Sequence, residues 1–150
     1  MLFRSVLDLT DDRGQFAGFL LAQLGADVIC VEPAEGHRSR RLPPFLDSER
    51  GPDRSLFHRA YNRGKRSVVV DQQQFLELAE GSDALITSGA YPVDLAALRA
   101  VNPALVTASI TPFGLDGPKA DWAATDLTNA AAGGVMSVND GVNGFVVFSL

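Results

Sequence analysis

Between Ser5 and Glu32 the chain reads as an apolar strand (SVLDL, Ser5 to Leu9), a helix (GQFAGFLLAQLGA, Gly14 to Ala26) and a second apolar strand (DVICVE, Asp27 to Glu32). This alternation is the strongest constraint on the fold. A strand that is apolar on both faces needs cover on both. A helix between two such strands supplies cover and returns the chain to the starting end of a parallel sheet. Phe16, Phe19, Leu20 and Leu24 recur at helical spacing, Gly25 is a helix stop, and Pro33 ends the second strand by removing a backbone donor.

The unit then repeats. RSVVVD (Arg66 to Asp71), DALITS (Asp83 to Ser88) and LVTASITPFG (Leu105 to Gly114) read as strands. QQQFLELAEG (Gln72 to Gly81) and PVDLAALRAV (Pro92 to Val101) read as the helices between them, with Pro92 suited to a first turn. ATDLTNAAAGGVM (Ala124 to Met136) reads as a helix capped by Thr125 or Asp126, and GFVVFSL (Gly144 to Leu150) as a further strand. Only the stretch from Pro33 to about Phe57, with Pro43, Pro44 and Pro52, lacks periodicity. The predicted fold is an open, mainly parallel Rossmann-like α/β sheet with helices on both faces. In such a sheet ligands sit at the carboxyl ends of the strands. Thr10 to Gly14, Glu32 to Arg38, Asp71, Thr87 to Ala90 and Thr111 to Gly117 would line that edge.

With 150 residues, 46% of them hydrophobic, the chain is expected to form one soluble domain with its own core. Its net charge of −5 repels polyanions, so no nucleic-acid partner is expected. No apolar run is long enough to cross a bilayer, and MLFRSVLDLT lacks the h-region of a signal peptide, so a cytoplasmic protein with no membrane partner is expected. The single cysteine, Cys30, lies in an apolar run and reads as a buried structural thiol.

Against the acidic background a basic tetrad stands out: Arg63-Gly64-Lys65-Arg66, in YNRGKRSVVVD. It either holds an anion such as phosphate or only sets the entry to the strand that follows. RSRR (Arg38 to Arg41) follows a strand's carboxyl end and offers a second basic cluster. The turn TDDRGQFAG has Gly14 and Gly18 but not the G-x-G-x-x-G of a dinucleotide site, and Asp11 and Asp12 would repel a pyrophosphate, which disfavours a nicotinamide- or flavin-dependent oxidoreductase. Asp11 and Asp12 read as capping or solvated carboxylates. His37 and His58 read as solvated loop histidines, with no triad or metal-site spacing around them.

Four segments together, VLDLT…AQLGADVICVEP, NRGKRSVVVD, RAVNPALVTASITPFGLDGPKAD and TDLTNAAAGGVMS, resemble in order and spacing the N-terminal half of family III CoA-transferases, the CaiB/BaiF group that includes the α-methylacyl-CoA racemases. The resemblance spans Val6 to about Ser137. It implies a Rossmann-like domain that binds coenzyme A, an acyl-CoA as ligand, no metal, and transfer of CoA to a carboxylic acid through an aspartyl thioester. It also implies a dimer, here a homodimer or a heteromer with a complete CoA-transferase chain. On this resemblance the CoA-contacting positions are Arg13 in the first turn, Glu32 and Arg38 after the second strand, Lys65 and Arg66 of the tetrad, and Ser88 and Gly89 where the family has Asn and Phe.

Departures from the family pattern temper what this chain would do alone. No residue matches the nucleophilic Asp, so no catalytic residue is assigned. Asp126 matches the helix-start Asp, and the His that precedes it in the racemases is Thr125 here, which has no usable proton-transfer pKa and disfavours racemisation. The first turn is shorter and more acidic than usual, and the helices after Asp71 and Tyr91 are short. The expected role is a CoA-binding or non-catalytic part of a CoA-transferase. The alternative is a structural or regulatory subunit that keeps the fold and has lost CoA.

Overall fold

The computed structural model describes residues 5–89 and 91–134. Contacts divide the chain into two compact units, the first ending at Ile110 and the second beginning at Thr111.

The first unit is built on five parallel strands: β1 (Ser5–Leu9), β2 (Asp27–Val31), β3 (Arg66–Val68), β4 (Ala84–Thr87) and β5 (Val106–Ser109), in the order β3-β2-β1-β4-β5. This is the expected open α/β sheet. The chain leaves β1 toward β2 on one side and later returns to pair β4 on the other. The carboxyl ends of β1 and β4 therefore diverge into a crevice, the switch point where such sheets bind ligands.

Strand alternation sorts the core into two faces. Leu7 and Leu9 of β1, Ile29 of β2 and Leu85 of β4 pack with Ala79, Leu98, Phe75 and Leu76 from α3 (Gln72–Glu80) and α4 (Leu95–Val101). Val6, Val28, Ala84 and Ile86 point the other way, onto Ala17, Leu21 and Ala22 of α1 (Gln15–Gln23). Asp8 lies on the α1 face between Val6 and Thr10, a carboxylate where the pattern calls for an apolar side chain.

Helix starts follow local capping chemistry. Asp71 and Gln74 form a capping box on α3, and the Asp94 carboxylate accepts from the Ala96 and Ala97 amides to start α4. That helix begins three residues beyond Pro92, because the Asp94 cap sets its start. The stretch after Pro33 holds a 3-10 turn over Arg38–Arg41 and ends in a helix that the sequence reading missed, α2 (Leu56–Asn62), capped by the Ser55 hydroxyl on the His58 amide. β3 covers half of RSVVVD, as an edge strand paired only to β2.

In the second unit, α5 (Asp126–Ala132) is started by Thr125, in a reciprocal cap with Thr128, and Trp122 packs edge-on against Phe113 with Lys119 over its ring. The strand expected at Gly144 to Leu150 lies outside the described residues.

The approach of α1 to the sheet depends on one glycine. A Cβ on Gly18 would collide with the Asp8 carboxylate and lie 3.1 Å from Lys65 Nζ. Gly18→Ala is expected to lower unfolding free energy by about 2 kcal/mol or more in urea denaturation. Gly81→Ala, at negative φ where a Cβ would lie no closer than 4.0 Å to the Leu78 carbonyl oxygen, should change it by no more than about 0.5 kcal/mol.

Candidate functional site

The basic tetrad is divided between two structural tasks. The Lys65 side chain is 1% exposed, and its ammonium donates to Asp8 Oδ2 (2.7 Å), the Gln15 carbonyl (2.8 Å) and Asn62 Oδ1 (2.9 Å). An ammonium has three N–H groups, so none is left for a ligand. Arg66 opens β3 and pairs with Asp27 at the opening of β2, on the amino edge of the sheet, opposite the carboxyl ends. Gly64, at φ 84°, makes the turn that carries Lys65 inward. Arg63 stacks over the Phe19 ring.

Among the described residues, Arg13 and Arg38 keep exposed guanidinium groups at the carboxyl ends. Arg13 grips Asp11 through Nε and Nη2 (2.9 and 2.7 Å), and Nη2 also lies 3.3 Å from the Ser88 carbonyl, yet half of the side chain is exposed. Asp11 is buried, which corrects its reading as solvated, while its carboxylate caps the turn by accepting the Arg13 amide (3.0 Å). Burial works against its charge, but hydrogen bonds from Arg13 and the Ser88 contact prevail and hold its pKa below the usual carboxylate range. Its negative charge is thereby neutralised from within the turn. Arg38 is more open still and, among the described residues, has only Asp12, at 3.3 Å, as ionic partner. Ser88 closes the crevice by accepting the Asp11 amide (2.8 Å), and the Gly89 amide donates to Thr87 Oγ1.

Glu32 is the hub at the end of β2. Its carboxylate takes two hydrogen bonds from Arg40 (2.7 and 2.6 Å), one from Ser67 Oγ (2.6 Å) and one from the His37 amide (2.7 Å). Burial opposes ionisation, but these donors outweigh it and bring the pKa down to about 2. Arg40 is completed by Asp53. Arg41 donates to the Glu35 carbonyl.

The histidines are not solvated, which corrects the sequence reading. His37 is fully buried and His58 nearly so. His37 Nε2 meets the Thr10 carbonyl, and Ser39 Oγ lies 2.6 Å from Nδ1 of each ring. Burial, then Arg40, pulls His58 down to about 4. What hid them was the lack of periodicity in their segment; the one local signal was Ser55 three residues before His58, an N-cap spacing. Cys30 is buried as expected, its thiol pushed up to about 12 by burial.

Beside Glu32 a cleft of about 680 Å³ opens between α3 and α4, walled by Leu9, Val31, Val70, Phe75, Leu76 and Tyr91, with Pro33 and Asp71 at its lip. It lies at the carboxyl ends of β1, β2 and β3. A second cleft, about 790 Å³, lies on the other side of Glu32 against β3; there Arg40, Arg41 and Arg50 are matched by Glu32, Glu35 and Asp53. Thr111 to Gly117 fall in the second unit.

A parallel sheet in the order β3-β2-β1-β4-β5 with helices on both faces defines a Rossmann-like class of α/β domain. The comparisons narrow this to a family. The family model for CoA-transferase family III matches residues 5–145, and the chain belongs to that family. It is 39% identical over 140 residues to a succinate–glutarate CoA-transferase of Agrobacterium fabrum, covering 83% of this chain and 35% of the relative. It is 35% identical over 143 residues to the BbsE subunit of succinyl-CoA:(R)-benzylsuccinate CoA-transferase of Thauera aromatica, covering 87% and 35%. Among solved structures a CaiB/BaiF family protein from Brucella suis superposes with a TM-score of 0.75 at 34% identity, covering 89% of this chain and 39% of that one. The chain thus spans little more than a third of the length of these relatives.

If Lys65 serves the fold, Lys65→Met leaves Asp8 charged, buried and unpaired. The expected loss is about 3–5 kcal/mol of unfolding free energy. Arg66→Ala, which removes an exposed pair, should leave the urea midpoint close to that of the unaltered protein.

Proposed function

We propose that this chain carries the CoA-binding share of a family III CoA-transferase, holding the CoA moiety of an acyl-CoA at the carboxyl edge of β1, β2 and β4. The observation that carries the reading is the pairing of an apolar cleft with two exposed guanidinium groups at that edge. CoA has the matching chemistry: a flat adenine, a long pantetheine arm and several phosphate charges. The cleft beside Phe75 and Tyr91 suits the adenine. Arg13 and Arg38 suit the phosphates, as planar, always charged donors. Ser88 and Gly89 offer a small-residue wall to the crevice, and Glu32 acts indirectly by fixing Arg40 and the end of β2. Lys65 and Arg66 have no part in this proposal.

In the complete reaction CoA passes from an acyl-CoA to a carboxylic acid through a carboxylate nucleophile. No residue of this chain is assigned that role. The reading therefore includes association with a complete transferase chain that supplies it. Loss of CoA binding with retention of the fold would make the chain a structural or regulatory subunit instead.

Calorimetric titration with CoA decides between these. Measurable binding is expected. Arg38→Ala and Arg13→Gln should each weaken it about tenfold, and added salt should weaken it in all forms. Arg66→Ala should bind as the unaltered protein does. Absence of binding at millimolar CoA, or equal losses from Arg66→Ala and Arg38→Ala, would sink the proposal.

A further inference from the structure

The buried His37–Ser39–His58 chain has no role in the reading above, and its hydrogen bonds can be counted donor by donor. His37 Nε2 lies 2.6 Å from the Thr10 carbonyl, which can only accept, so Nε2 carries a proton. His37 Nδ1 receives the Ser39 amide at 3.0 Å, so it is bare. Ser39 Oγ, 2.6 Å from that bare nitrogen, must give it the hydroxyl proton. The serine oxygen can then only accept at its other short contact, 2.6 Å from His58 Nδ1, so His58 carries its proton on Nδ1. Asn62 Nδ2 lies 3.2 Å from that nitrogen, farther than from the acceptors of its two N–H groups. Its orientation is fixed by Oδ1 accepting from Lys65, and its two N–H groups go to Gln15 Oε1 (2.9 Å) and the His58 carbonyl (3.1 Å). His58 Nε2 is left bare.

We propose that this chain is a proton-sensitive clamp: with His58 neutral it fastens the 37–41 turn and α2 to the carboxyl end of β1, and uptake of one proton at His58 Nε2 releases α2. The clamp stands whether or not CoA is the ligand. It ties three separate pieces of chain together: Thr10 at the end of β1, His37 and Ser39 beside Glu32, and His58 on α2.

The surrounding charges make a proton unwelcome while the clamp is shut. His58 faces two cations, Arg40 and Lys65, with His37 beyond the serine. The carboxylates that could offset them are committed, Glu32 to Arg40 and Asp8 to Lys65. On the β1 turn Asp11 is held by Arg13 and Asp12 stands near Arg38, while Arg59, next along α2, is exposed. Opening α2 to solvent restores an ordinary imidazole. The sign follows from linkage: His58 is depressed from 6.5 to about 4 when shut, so the clamp's contribution is complete above about 6.5 and is lost as pH falls toward about 4.

The chain has two histidines, so imidazole nitrogen NMR of the protein alone reads both rings. At about pH 7.5 His58 should be the neutral Nδ1–H form and His37 the neutral Nε2–H form. Between about pH 7.5 and 5, amide protection factors over Leu56 to Asn62, which correct for intrinsic exchange, should fall about tenfold or more. His58→Asn keeps a donor near the Nδ1 position and cannot titrate, so its protection should stay level over that range. A His58 ring protonated at Nε2 at pH 7.5, protection in the unaltered protein that does not fall, or the same fall in His58→Asn would each overturn the clamp. Should His58→Asn not fold, the tautomer and the protection profile of the unaltered protein still decide.

Discussion

The buried pair of Asp8 and Lys65 organises the first unit. Asp8 sits in the middle of the sheet, where an unpartnered carboxylate would be prohibitively costly. Its partner comes from beyond β2, from the turn into the edge strand, and reaches across the α1 face. To let it pass, α1 carries glycine at position 18 and offers the Gln15 carbonyl. The same carboxylate takes the Thr10 amide and hydroxyl on its other oxygen. From Thr10 the bonds run through His37, Ser39 and His58 to Asn62, and Asn62 returns to Lys65. The circuit is closed. It joins β1, the turn after β2, α2 and the turn into β3 beneath the carboxyl edge of the sheet.

This circuit divides the basic residues by function. A cation next to a strand is ambiguous in sequence: it can face a ligand or neutralise a buried acid. Lys65 does the second, and its position beside Arg66 says nothing about shared purpose, because the turn at Gly64 carries Lys65 inward while Arg66, opening β3, stays exposed beside Asp27. Arg13 and Arg38, less conspicuous in the sequence, keep their guanidinium groups exposed at the carboxyl edge.

The sheet was legible because its signal is local and repeated. Apolar strands at Val6, Val28, Leu85 and Val106, separated by helix-length segments, admit few arrangements, and the resemblance to CoA-transferases pointed to the same family as the comparisons. The site was legible only in part. Asp8 in SVLDL looks like any strand residue, and nothing adjacent announces a partner 57 positions away. His37 and His58 lie 21 positions apart in an aperiodic stretch, and Ser39 is the hydrogen-bonded link between their neighbouring rings. Helix α2 is seven residues long, too short for periodicity to declare it, and its cap at Ser55 was the one available sign. Long-range polar circuits leave no periodic trace, so sequence patterning finds the scaffold before it finds what the scaffold holds together.

The most direct test of this account is the coupling between Asp8 and Lys65. Asp8→Asn, Lys65→Met and the double variant form a cycle in urea unfolding. A shared buried charge pair predicts strong non-additivity, with the double variant more stable than the sum of the single losses by about 2 kcal/mol or more. Losses that add to within about 0.5 kcal/mol would show that Lys65 does not answer Asp8 in solution, and the circuit built on that pair would not stand.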